Sequence, residues 1–174
     1  MSGAACNVPS GSGRCRRARL LAHLCALPLV LLPLMAHGIG TCTVTSSGVA
    51  LGGYTFNTVL PTDATGNIEV SCSLIGVISI AVLYEIRLSA GANGSYAARQ
   101  MGRGANRLGY NLYLDPLHAA VWGDGTAGTA TVSDSYLLGL VTTVRDYPLY
   151  ARAPAGQNTP AGVYTDMITV TVAY

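Results

Sequence analysis

Gly162-Val-Tyr-Thr-Asp-Met-Ile-Thr-Val-Thr-Val-Ala-Tyr174 is the stretch that decides the fold. From Ile168 on, large apolar side chains take every second position: Ile168, Val170, Val172 and Tyr174. Thr169, Thr171 and Ala173 lie between them. Period two in β-branched and aromatic residues predicts a strand with one buried face. Pro160 and Gly162 punctuate its start. The alternation runs to the final residue, with no turn and no further strand behind it. A strand has two hydrogen-bonding edges to fill, and one edge here is expected to be reserved for another protein.

The rest of the composition suits such a strand. Among 174 residues, 50% are hydrophobic and 10% charged, against roughly 25% charged in soluble domains. Gly numbers 21, Tyr 10 and Phe 1, and every basic residue is Arg. This balance fits a β-rich, turn-rich exported protein better than a helical cytosolic one, and the length suffices for one domain. The formal charge is +2, yet four of the ten Arg lie in the first 19 residues. Without that segment six Arg face eight Asp and Glu, a net charge of −2. Such a balance offers no basic footprint for nucleic acid.

Residues 1–38 read as a cleaved signal peptide. Arg14, Arg16, Arg17 and Arg19 form a basic region, Leu20 to Met35 an apolar run, and Ala36-His37-Gly38 a cleavage site of small residues. The alternative, a membrane anchor, is opposed by the short run and by Pro28 and Pro33. Arg16-Arg17 hints at twin-arginine export, but the flanking residues fit it poorly. Cys6, Cys15 and Cys25 would leave with the leader, and Cys42 and Cys72 remain. An even pair in an exported domain is most simply a disulfide, the alternative being two unpaired buried thiols. Lipidation of Cys42 is disfavoured by the preceding Thr41.

The domain, residues 39–174, reads as short strands broken by Gly, Asn and Pro. Ile39 to Thr45 and Val49 to Phe56 are strand candidates; Pro61 to Gly66 reads as a loop. Asn67 to Leu74 alternates cleanly, placing Ile68, Val70, Cys72 and Leu74 on one face. Val77 to Ser89, Tyr96 to Met101, Leu108 to Leu114 and Thr129 to Ser133 follow. Thr142 to Ala153 is interrupted at Pro148, which predicts an edge or a bulge. No apolar stripe of helical period appears, so an antiparallel sandwich is the expected class.

No stretch carries a catalytic or ligand-binding motif in the context that motif needs. Gly123-Asp-Gly-Thr-Ala-Gly128 spells G-x-G-x-x-G, but a β-forming stretch follows where a phosphate cradle needs a helix. His118 has no nucleophile elbow to serve and reads as a solvated loop residue. Asp115, Asp124 and Asp134 match no calcium loop and read as turn caps. Asn93-Gly-Ser95 is a glycosylation sequon that a turn explains equally. Trp122 reads as core, and Arg99, Arg103 and Arg107 as a solvated loop flank. No catalytic residue, cofactor or metal site is predicted.

Several pieces in order carry a resemblance: Val49-Ala-Leu-Gly-Gly-Tyr54, Val70-Ser-Cys72, Ile86-Arg-Leu-Ser-Ala-Gly91 and Gly94-Ser-Tyr-Ala-Ala-Arg-Gln-Met101. Tyr110-Asn-Leu-Tyr113, Val121-Trp-Gly-Asp-Gly125, Pro154-Ala-Gly-Gln157 and Pro160-Ala-Gly-Val-Tyr-Thr-Asp166 with Ile168-Thr-Val-Thr-Val172 complete the set. The chain resembles the spore coat protein U domain family, the subunit type of archaic chaperone–usher pili. The resemblance implies an incomplete immunoglobulin-like antiparallel β-sandwich of about six to seven strands. Its C-terminal strand, with Ile168, Val170, Val172 and Tyr174, would line an open acceptor groove. A periplasmic chaperone would fill that groove first, and after passage through an outer-membrane usher the next subunit's N-terminal strand would replace it. The location implied is the periplasm and then the cell surface.

One departure stands out. Only Ile39-Gly40-Thr41 separates the expected cleavage site from Cys42. A segment of about three residues spans roughly 10 Å, too short for a donor strand. The expectation is therefore a non-enzymatic subunit that accepts a strand without donating one, at the tip or end of a fibre used for adhesion and biofilm. The alternatives are a secreted coat or binding protein with a self-complete sandwich, and an exported hydrolase working through His118.

Overall fold

The computed structural model describes residues 40–74 and 79–174. The expected leader and Ile39 lie outside them. Eight strands form: β1 (Gly40–Ser46), β2 (Thr62–Leu74), β3 (Ile80–Leu88), β4 (Arg99–Arg103), β5 (Asn106–Tyr113), β6 (Val132–Leu138), β7 (Thr143–Ala153) and β8 (Val170–Ala173). They build a five-stranded sheet, β1-β2-β7-β5-β4, and a three-stranded sheet, β6-β3-β8, with every ladder antiparallel. The described residues contain no helix. The architecture is the all-β sandwich that the alternation predicts, with eight strands where six to seven were expected.

The core forms where the alternating rows of the two sheets meet. Ile68, Val70 and Cys72 of β2, Leu149 and Ala151 of β7, Leu112 of β5, and Tyr84, Ile86 and Leu88 of β3 are all buried. Trp122 is fully buried among them and donates its indole N–H to the Ile86 carbonyl at 3.2 Å. Burying such rows is the main stabilising term, at roughly 25 cal/mol per Å² of apolar surface. Cys42 and Cys72 are direct register partners in the β1–β2 ladder and form a disulfide. It closes a separation of 30 residues, worth about 3 kcal/mol in the chain-entropy model.

Several expectations need correction. Thr62 to Gly66 is no loop; it opens β2 and pairs with β7 from Ala153 to Leu149. At Gly66 a neighbouring segment passes close to the strand. A Cβ added at Gly66 would approach Gly48 O to 2.5 Å and Val49 Cγ2 to 2.7 Å. Val49 to Phe56 adopts no ladder, although Val49 and Leu51 still turn onto the core. Strand β7 lies between β2 and β5, not at an edge. Pro148 is tolerated because the β5 ladder engages β7 only at Tyr150–Arg152.

Arg99 is fully buried rather than solvated. It lies on β4 and donates to the carbonyls of Ser89 and Trp122 and to Asn111 Oδ1. Burial lowers its pKa, and the neutral oxygens that receive its fork compensate for lost water. His118 is also packed rather than solvated. Its side chain is 7% exposed and meets the Tyr113 ring edge-on at 5.0 Å between centroids.

Candidate functional site: the free edge of the three-stranded sheet

Strand β8 covers only Val170–Ala173. It pairs with β3 through Glu85↔Ala173, Ile86↔Val172, Arg87↔Thr171 and Leu88↔Val170. Among the described residues no strand bonds its other edge. Val170 and Val172 face inward because they pair with the buried Ile86 and Leu88. Yet they are only half-buried against the core, as is Ile168 just before the strand. Tyr174, grouped with them by its spacing, lies beyond the strand and is 80% exposed. The row is thus three residues deep, not four.

Apolar groups elsewhere in the sandwich are also incompletely covered. Val44 of β1 pairs with Val70, which is fully buried, so both lie on the core-facing side. Val44 nevertheless remains 39% exposed. Val49, Leu51, Val82 and Val132 are half-buried against the core. Ile168, Val170 and Val172, held half in water beside the unpaired edge of β8, are the side chains an added strand would cover there.

The approach to β8 is held by polar contacts. Asp166 Oδ2 accepts from the Tyr110 hydroxyl at 2.6 Å, and Oδ1 accepts from the amides of Ala92 and Met167 at 2.8 Å. Thr169 exchanges bonds with Ser89: its amide donates to Ser89 Oγ, and its carbonyl accepts from Ser89 N. Sequence reasoning missed Asp166 and Arg99. An Asp within an alternating run and an Arg in Arg-Gln-Met-Gly-Arg look like surface residues, and nothing local marks the partners that bury them.

Elsewhere the polar groups serve the frame. Asp115 accepts amide bonds from Leu117, Ala119 and Ala120, and Asp124 accepts from Thr126. Both are the turn caps expected of them. Asp134 instead accepts from the Tyr147 hydroxyl, which also bonds Tyr84. The Tyr147 hydrogen bond holds Asp134 below the ordinary carboxylate range. Burial and the neighbouring Asp134 raise the Tyr147 hydroxyl. Gly123 to Gly128 forms a turn, closed by Thr129 N donating to Thr126 O at 2.9 Å. Among the described residues no group of three or more His, Cys, Asp or Glu is placed to hold a metal.

Residues 29–171 match the Spore Coat Protein U domain family. Protein U of Myxococcus xanthus is 30% identical, with 78% of each chain covered. Similarity extends to a chain in the crystal structure of the CsuC-CsuE chaperone-tip adhesion subunit pre-assembly complex from archaic chaperone-usher Csu pili of Acinetobacter baumannii. There the TM-score is 0.49 and the identity 20%, over 78% of this chain, which spans 40% of that one.

Proposed function

Because the chain belongs to the Spore Coat Protein U domain family, we propose that it is an exported structural subunit of an archaic chaperone–usher surface fibre. A partner's strand completes it along the free edge of β8. The observation that carries this reading is the half-covered row Ile168, Val170 and Val172 beside an edge without a strand partner among the described residues. An incoming strand gains hydrogen bonds along β8 and buries its inward side chains against that row. A periplasmic chaperone occupies the edge first, an outer-membrane usher exchanges it, and a neighbouring subunit's N-terminal strand takes its place. The role is mechanical, and no residue is assigned to catalysis or to a cofactor.

Residues 1–38 act in this reading as the export signal, and the position is the fibre tip or end, supporting adhesion and biofilm. The family match begins at residue 29, inside the segment read as the leader. N-terminal sequencing of the exported protein therefore decides whether a donor segment precedes Cys42. A start near Ile39 supports the terminal position; a start well upstream of Leu34 removes it.

The acceptor role is tested by expressing the exported chain with and without a chaperone of the chaperone–usher class. The expected result is a soluble one-to-one complex with the chaperone and, without it, a chain that aggregates as its concentration is raised. A monomer that folds cooperatively alone, stays soluble at that concentration and takes up no strand along β8 overturns the proposal. That outcome favours a soluble coat protein, a reading that the family's description as a spore coat domain also supports.

A further inference from the structure

We propose that Asp166 and Tyr110 form a positioning clamp that holds the root of β8 in register, so that its free edge is already ordered when a partner strand arrives. The inference rests on the acceptor reading of β8 given above and names the residues that prepare that edge.

The need for a clamp follows from the packing. A strand is ordinarily ordered by burial of its inward face and by ladders on its edges. Among the described residues strand β8 has one ladder, four residues long, and its inward face is only half-buried. Apolar burial is therefore a weak source of order here, whereas the five residues before the strand are fastened three times. Thr165 and Gly102 of β4 exchange backbone bonds at 2.8 and 3.1 Å. Asp166 takes the Tyr110 hydroxyl and the Ala92 amide, joining the approach to β5 and to the segment after β3. Thr169 then closes on Ser89 through two bonds of 3.0 and 2.9 Å. Ser89 passes the attachment inward, because its carbonyl accepts from the buried Arg99.

Two features show that the surroundings are shaped around the Asp166 carboxylate. Gly91 holds φ +90°, and a Cβ there would overlap that carboxylate, so the close approach requires glycine. Tyr110 is 7% exposed on β5 and carries the donor hydroxyl. Its burial, reinforced by Asp166, raises the hydroxyl pKa and keeps it a donor. A charge-assisted bond of this kind is stronger than a neutral one. A strand ordered in advance loses less conformational entropy on pairing, which favours capture of the partner.

The test compares Tyr110→Phe and Asp166→Asn with the wild-type exported chain. Amide exchange is followed at Val170–Ala173 and, as a reference, at Ile68–Cys72. Binding is followed with a synthetic peptide of about twelve residues carrying Val at alternate positions between Thr and Lys. Tyr110→Phe keeps the ring and safeguards the comparison if Asp166→Asn fails to fold. The expected result is about tenfold faster exchange along β8 with the reference unchanged, slower peptide association and an unaltered dissociation rate. Equal changes at both sites, or none at β8, overturn the clamp. If the wild-type chain ignores the peptide while the β8-specific exchange effect appears, the clamp stands and the acceptor reading falls.

Discussion

Strands β2 and β8 carry the same pattern of alternating aliphatic residues, yet their environments differ. Ile68, Val70 and Cys72 of β2 are fully buried, with β1 on one side and β7 on the other. Val170 and Val172 of β8 are half-buried, with β3 as their one neighbour among the described residues. Alternation therefore specifies which side chains point inward, while the number of paired neighbours decides how far they are buried. The structure is well sealed along β2 and thinly sealed along β8. The proposed strand addition fits the second place, because of these two strands only β8 keeps apolar surface that pairing would remove from water.

The sharpest way to break this comparison is to cut equivalent side chains on the two strands. Ile68→Ala leaves a cavity in a close-packed region and should destabilise the chain by about 2–5 kcal/mol in denaturant unfolding. Removing the disulfide by Cys42→Ala and Cys72→Ala should lower stability by about 3 kcal/mol. The loss should concentrate in β1, whose one strand neighbour is β2, and exchange should show β1 opening ahead of the rest.

Val172→Ala should cost at most about 1 kcal/mol in the free chain, since much of its surface already meets water. If it matches Ile68→Ala, the contrast between the strands is wrong. The same substitution should weaken a strand-bound complex more than the free chain, as measured by calorimetric titration.

The smallest effect concerns pH. Asp134 has a folded pKa depressed below the ordinary value of 3.8, chiefly by the Tyr147 hydrogen bond. Its contribution to stability is full above the unfolded value and is lost as pH falls through the folded one. Asp134→Asn should therefore flatten the acid limb of the stability profile while leaving the shape near neutrality unchanged. Steepening of that limb would contradict the assignment.

Much of the frame was legible beforehand. Asn67 to Leu74 and Ile168 to Val172 announce their inward rows through period two, and Cys42 and Cys72 announce their pairing as the two cysteines after the expected leader. Thr62 to Gly66 reads as a loop because Ala and Gly resemble turn residues when their neighbours are unseen. Gly66 must be small because Gly48 and Val49 pass against it. Arg99 and His118 were read as solvated because charge and loop position ordinarily mean exposure. Their burial depends on carbonyls and rings contributed from distant parts of the chain. The clamp at Asp166 was hidden for the same reason, as its donors come from Tyr110 and Ala92.

Local order was settled by the chain itself where the pattern is strong: β character and side-chain direction in the alternating stretches, and the turns capped by Asp115 and Asp124. These follow from steric preferences and spacing within a few residues. Which strands become neighbours, which edge stays open and which polar groups sink into the core were decided only by the tertiary structure. Those outcomes depend on contacts between residues far apart in sequence, where hydrogen-bond partners and apolar cover must be found in space.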